Sequence, residues 1–178
     1  GTVVNADDLI QELETMAMME YEKRSPEMAP NEIQRRSKVI SLAALKFYLV
    51  KQDSKKELVF NPEESISFEG QTGPYLLYTN ARIQSILRKS LQKPSIQKSG
   101  ILSEKREKEL IGLLSRKNEI ISSALSHYSP HVLAHYLLGL ANTFNTYYHE
   151  TKIIQENTEM EQALLALVQG IHSVLEEG

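Results

Sequence analysis

Apolar residues recur along this chain at intervals of three and four, which places them on one face of an α-helix. Leu58, Val59 and Phe60 are typical of a short extended segment, but Pro62 and the turn at residues 70–74 leave no room for a sheet. We therefore predict an all-α fold, a bundle of about five to six helices in a single domain over residues 1–178. The helices are predicted at about residues 6–23, 31–50, 74–92, 103–128, 130–149 and 158–177.

Helix starts are marked by residues that can cap free backbone N–H groups. Asn5 is expected to cap the first helix, with Asp8 three residues later. Ser103 is expected to begin the fourth helix as a half-formed cap, because Arg106 stands where a capping box would have Glu. Pro74 and Pro130 suit the first turn of a helix.

Composition narrows the class of protein. With 178 residues and 41% hydrophobic composition, the chain can build one well-packed core. No apolar run approaches the roughly 18 to 20 residues that a membrane helix needs. Cysteine is absent, which excludes disulfides, thiol nucleophiles and thiolate metal sites. These features predict a cytoplasmic protein with no membrane partner.

Charge is distributed unevenly. The net charge is −3, yet residues 70–103 contain no Asp or Glu and carry five cations, so this segment is locally +5 and the rest of the chain is −8. The five cations are Arg82, Arg88, Lys89, Lys93 and Lys98. One interpretation is an electrostatic footprint for nucleic acid. The other is an ordinary solvated helix face.

One stripe of the third predicted helix combines aromatic and basic side chains. Tyr75, Tyr78, Arg82, Ser85 and Lys89 are spaced by three, four, three and four, so they share a face. Bases of unpaired RNA stack on aromatic rings while Arg and Lys follow the phosphates. The alternative is that both tyrosines are half-buried core residues with their hydroxyls at the surface.

Other candidate chemistry is weak. His127, His131 and His135 are spaced for a metal site, but Pro130 falls between the first two and no carboxylate or cysteine completes the ligand set. No Ser/His/Asp order, glycine-rich phosphate loop or isolated carboxylate pair is present. We therefore predict no catalytic residue and no metal ligand.

Two segments carry a family resemblance. FEGQTGPYLLYTNARIQSILRK, residues 68–89, resembles the arginyl-tRNA synthetase segment FEGNTxPYLQYAxxRIxSIxRK. SPHVLAHYLLGLANTFNTYYHE, residues 129–150, resembles a later pattern of the same family. GTVVNADDLIQE, residues 1–12, resembles the sequence that follows the family's KMSKS-like ATP loop. The resemblance covers nearly the whole chain and is weakest over residues 92–125.

The resemblance implies a class I synthetase that joins arginine to its tRNA using ATP and Mg²⁺. This chain would be its C-terminal, DALR-type anticodon-binding domain, with a catalytic Rossmann domain upstream in cis. The fragment itself is expected to be non-catalytic and to hold no cofactor. Its expected partner is the anticodon stem-loop of tRNA(Arg), and the full enzyme is expected to be monomeric.

The family roles extend to individual residues. The predicted RNA-binding residues are Tyr75, Tyr78, Arg82, Lys89, Asn145 and Tyr148. Leu77 departs from the family pattern, which usually has Gln between the tyrosines. The family's short C-terminal tail would follow Gly178, so anticodon recognition by this chain is expected to be incomplete.

Two alternatives remain open at this point. The chain could be the anticodon domain of another class I synthetase, such as the cysteinyl enzyme, although the TGPYLLY segment argues against it. It could also be a helical protein-interaction module with buried tyrosines and an incidental basic stretch.

Overall fold

The structure, a computed structural model, describes residues 5–178, except for the side chain of residue 24. The first four residues of the N-terminal resemblance therefore lie outside the described residues. The described part is helical and contains no strand, which confirms the all-α prediction. Its helices are α1 (Ala6–Arg24), α2 (Pro30–Val50), α3 (Pro62–Ser65), α4 (Gly73–Lys89), a 3₁₀ helix (Ile96–Ile101), α5 (Lys105–Ser115), α6 (Lys117–Ser126), α7 (Pro130–Glu150) and α8 (Thr158–Glu177).

The described part holds more α-helices than the predicted five or six, for two local reasons. The predicted helix over 103–128 is interrupted at Arg116, whose N–H bonds to the carbonyls of Leu113 and Leu114. Apolar residues continue on both sides of this break, so periodicity alone does not reveal it. α3 has only four residues, too few to show a helical period.

Capping agrees with one prediction and corrects the other. The side chain of Asn5 accepts a hydrogen bond from the N–H of Asp7 at 3.3 Å, as a cap should. The prediction of Ser103 as the next cap was wrong by one residue. Glu104 is the N-cap of α5, and it forms a reciprocal capping box with Glu107. Glu is uncommon at this position, which is why the sequence favoured the serine.

The described residues form two compact units, one ending at Leu77 and the other spanning Tyr78–Gly178. The single domain over residues 1–178 stays a prediction. In the first unit Leu13, Ala44 and Leu45 form the buried centre, and Phe60 packs on it. Gly73, at the start of α4, is required here, since a Cβ would lie 2.2 Å from the carbonyl oxygen of Ala43.

The core of the second unit is built mainly from α7 and α8. Leu140, Phe144 and Ile171 are fully buried within it. On α4, Ile83 and Ile86 are also buried, so the apolar side of that helix faces inward and its polar stripe is left at the surface. No helix in the described range is long and apolar enough to cross a membrane.

Candidate nucleic-acid interface

The candidate site begins with the exposed side of α4. Tyr78 is 47% exposed, whereas Ile83, on the apolar side, is completely buried. This exposure places Tyr78 at the surface of α4, and its role in RNA binding stays a prediction.

Arg82 is the centre of the site. Its Nη2 donates to Oη of Tyr78 at 3.0 Å, and its Nη1 donates to Oδ1 of Asn145. Its Cζ lies 4.9 Å from the ring centroid of Tyr78 and 4.9 Å from that of Tyr148. Both separations are within the range of cation–π attraction. Four of the predicted residues, from helices α4 and α7, therefore meet at one guanidinium group.

Asn145 differs from the other three because it is only 8% exposed. Its Nδ2 donates to Oγ1 of Thr79, a completely buried residue, at 2.8 Å. The amide thus connects α4 to α7 and also accepts from Arg82. A side chain buried in this way is suited to hold Arg82 in place rather than to contact a ligand itself.

Beside this cluster lies a groove with a volume of about 690 Å³. α4 contributes Tyr78, Ala81, Arg82, Ser85, Ile86 and Lys89, and the end of α7 with the segment after it contributes Tyr148, His149, Thr151, Lys152, Ile153 and Ile154. No acidic side chain is among these described lining residues, although the chain as a whole has a net charge of −3. The groove is therefore locally basic and partly aromatic.

Among the lining residues that were not predicted from the sequence, Lys152 and His149 have basic side chains. Lys152 and His149 follow or end α7, outside the acid-free segment at 70–103, and Glu150 lies between them. The sequence does not mark this position as basic, because the acidic Glu150 lies two residues before Lys152. The carboxylate of Glu150 is bound by Arg106, with Nη2 to Oε1 at 3.1 Å.

Of the two other predicted residues, one lies in the groove and one does not. Lys89 lines the groove. Tyr75 belongs to the first compact unit, where it is partly buried and its N–H is bonded to Oγ1 of Thr72 at 3.1 Å. In the basic segment, Lys98 is compensated by Glu159 at 3.0 Å, so the local charge of the sequence overstates what the folded surface offers.

Tyr147, the residue before Tyr148, is buried and does not face the groove beside Arg82. It is 2% exposed, and its hydroxyl donates to Oε1 of Glu107 at 2.9 Å. Burial, reinforced by this hydrogen bond to a carboxylate, raises the pKa of Tyr147 well above its usual value of 10. The phenol therefore stays neutral over the whole physiological range.

The three histidines do not form a ligand set. Nδ1 of His127 lies 2.9 Å from the carbonyl oxygen of Ser123, and the rings of His131 and His135 are 6.2 Å apart. Within residues 5–178, no group of three or more His, Cys, Asp or Glu side chains is placed to hold a metal ion.

Comparison with known proteins identifies related chains. Residues 76–178 match the model of the DALR anticodon binding domain. The arginine–tRNA ligase of Parabacteroides distasonis is 35% identical over 186 aligned residues, covering 100% of this chain and 31% of that protein. That of Flavobacterium psychrophilum is 41% identical, covering 88% of this chain and 26% of the relative.

A solved structure shows the same fold. The arginyl-tRNA synthetase of Thermus thermophilus superposes with a TM-score of 0.86 at 31% identity, and the match covers 97% of this chain and 30% of the other. The chain thus spans under a third of the length of the relatives it matches. These findings confirm the resemblance drawn from residues 68–89 and 129–150.

Proposed function

The chain belongs to the family of DALR anticodon binding domains, and we propose that it holds the anticodon stem-loop of an arginine tRNA in the groove beside Arg82. The observation that carries this proposal is a groove whose described lining has cations and tyrosines but no carboxylate. Unpaired bases stack on aromatic rings, and cations attract the phosphates between them. The proposed RNA-contacting residues of the groove are Tyr78, Arg82, Lys89 and Tyr148, with Asn145 acting through Arg82. Tyr75 belongs to the first unit and stays a predicted RNA-binding residue.

The larger protein is proposed to be an arginine–tRNA ligase. The relatives named above are arginine–tRNA ligases, and they are about three times as long as this chain. In this proposal the activation of arginine with ATP and Mg²⁺ takes place on the parts of the protein beyond these 178 residues. The chain contributes tRNA binding alone, and the parent acts in the cytoplasm as a monomer.

Arginine is favoured over cysteine as the cognate amino acid, because the relatives reported above are named for arginine. The match to the synthetase fold likewise favours RNA over a protein partner. The competing function is a protein-interaction module. Specific binding of the arginine anticodon stem-loop would exclude it.

The direct experiment is a titration of the 178-residue chain with a stem-loop carrying an arginine anticodon. We expect weak binding that decreases as the salt concentration rises from about 50 to 200 mM, because phosphate contacts release counterions. A stem-loop with the same stem and a scrambled loop is the control, and it should bind more weakly. Absence of binding at the lower salt concentration would overturn the proposal.

A further inference from the structure

We propose that the lysines and the arginine of the groove have different roles in RNA binding. Lys152 and Lys89 bind the phosphates of the RNA strand, while Arg82 is a fixed stacking platform that carries little of the phosphate contact. This inference rests on the proposed function and goes beyond it, because it assigns a phosphate contact to Lys152 and removes that role from Arg82.

The platform role of Arg82 follows from its contacts. A guanidinium has five N–H donors in a rigid plane. Two nitrogens of Arg82 already donate hydrogen bonds, one to Tyr78 and one to the buried Asn145. The ring centroids of Tyr78 and Tyr148 each lie 4.9 Å from Cζ of Arg82. A group held by this many partners cannot turn freely toward a phosphate. With Tyr78 and Tyr148 it forms a cluster of two aromatic rings and one guanidinium, groups on which bases stack.

The two lysines have the opposite character. Lys89 and Lys152 are exposed, and neither has an ion pair or hydrogen bond to any residue of the described chain. Lys89 comes from α4, and Lys152 comes from the segment after α7, so the groove is supplied with a mobile cation from each side. A lysine ammonium on a flexible stem acts as a point charge that can follow a phosphate.

The acidic residue closest to Lys152 in sequence does not interfere. Glu150 is bound by Arg106 and lines a different groove, with Glu104, Lys105 and Glu109. Glu150 is therefore not an ion-pair partner of Lys152. His149, also in the groove, packs edge-on to the ring of Tyr148 with centroids 5.9 Å apart.

The test measures how the affinity of the chain for the arginine anticodon stem-loop depends on salt. For single strands, log K falls with log salt with a slope of about 0.7 per neutralised phosphate. Lys152→Gln and Lys89→Gln should each weaken binding and reduce the slope by about 0.7, and the double variant by about 1.4. Lys105→Gln is the matched control, an exposed lysine of the other groove, and should leave both quantities unchanged.

Arg82 is tested with two variants. Arg82→Gln should weaken binding with the slope nearly unchanged. Arg82→Lys, which keeps the charge but loses the planar group, should fail to restore the affinity. Melting curves of both variants establish that the comparison is made between folded proteins, and the lysine variants decide the matter if Arg82 proves necessary for folding.

An unchanged slope in Lys152→Gln would overturn the inference, as would full recovery of affinity in Arg82→Lys. Either result would leave the proposed function intact, because the wild-type chain would still bind the stem-loop. If the wild-type chain itself fails to bind, the proposed function fails first.

Discussion

Tyr147 and Tyr148 are neighbours on α7, yet their side chains serve two different surfaces. Tyr147 is buried against Glu107, and its edge reaches a groove where cations and carboxylates occur together. Tyr148 is partly exposed beside Arg82, in a groove with no acidic residue among its described lining. Two consecutive tyrosines therefore lie at two different grooves of the second unit. In one groove cations and carboxylates occur together, and in the other the described lining has cations but no carboxylate.

The two grooves differ in how far their cations are paired with carboxylates. In the first groove Arg106 and Glu150 pair, and Glu107 bonds both to Tyr147 and to the start of α5. In the second groove the lysines have no described acidic partner. This segregation of cations from acids in an acidic protein is the feature from which we propose an anionic ligand.

The largest effect is expected from removing Tyr147. Tyr147→Ala should destabilise the chain by about 3 to 5 kcal/mol, because it leaves a cavity and deprives the buried Glu107 of a donor. Urea unfolding measures this loss. The surviving folded protein should bind the stem-loop as the wild type does, and a selective loss of affinity without a loss of stability would erase the distinction between the two tyrosines.

Truncating the neighbouring ring should have the reverse pattern. Tyr148→Ala and Tyr78→Ala should each weaken stem-loop binding by about 1 to 3 kcal/mol, roughly five- to 150-fold, which is the contribution of one stacked base. Fluorescence anisotropy gives the affinity, and a melting curve of the same sample gives the stability. If these variants lose stability but bind normally when folded, both rings serve packing and not RNA binding.

Asn145 should combine the two effects at smaller size. Asn145→Ala breaks buried hydrogen bonds to Thr79 and Arg82, so a stability loss of about 1 to 2 kcal/mol is expected. Release of Arg82 should also reduce affinity, but by less than removal of Tyr148. Affinity equal to that of the wild type would show that Arg82 needs no anchor.

The smallest effect is a difference in alkaline stability. The pKa of Tyr147 is raised by burial and by the bond to Glu107. A raised pKa of this kind contributes stability that is fully present below about 10, the value in the unfolded chain, and is lost progressively as the pH rises above it. Between pH 8 and pH 11 the unfolding free energy of the wild type should therefore fall more than that of Tyr147→Phe. Equal losses would mean that the phenol is not shielded.

Much of the fold was predictable, and the reasons for the rest are physical. α8 is found at Thr158–Glu177, and α1, α2 and α7 begin and end within one residue of the predicted positions, because long amphipathic helices have strong periods. The break at Arg116 was missed, since a one-residue interruption leaves the apolar pattern intact. α3 is shorter than two helical turns, so no period exists to be seen.

The candidate site was only partly predictable from the sequence. The stripe on α4 follows from helical spacing, and Asn145 and Tyr148 came from the family resemblance. Lys152 could not be found in this way, because Glu150 lies two residues before it and the sequence there shows no basic run. Only the structure shows that the carboxylate of Glu150 is bound by Arg106. The structural role of Asn145 likewise depends on a contact with Thr79 across 66 residues of sequence, which no local pattern reveals.

The most direct test of the central claim is to map RNA binding onto the two grooves by NMR. In a titration of the 178-residue chain with the arginine anticodon stem-loop, backbone amide signals of Tyr78, Arg82, Tyr148 and Lys152 should shift in proportion to occupancy. Those of Lys105 and Glu109, in the charge-compensated groove, should stay in place. Shifts confined to the Lys105 groove, or absent from the Arg82 groove at saturation, would contradict the account.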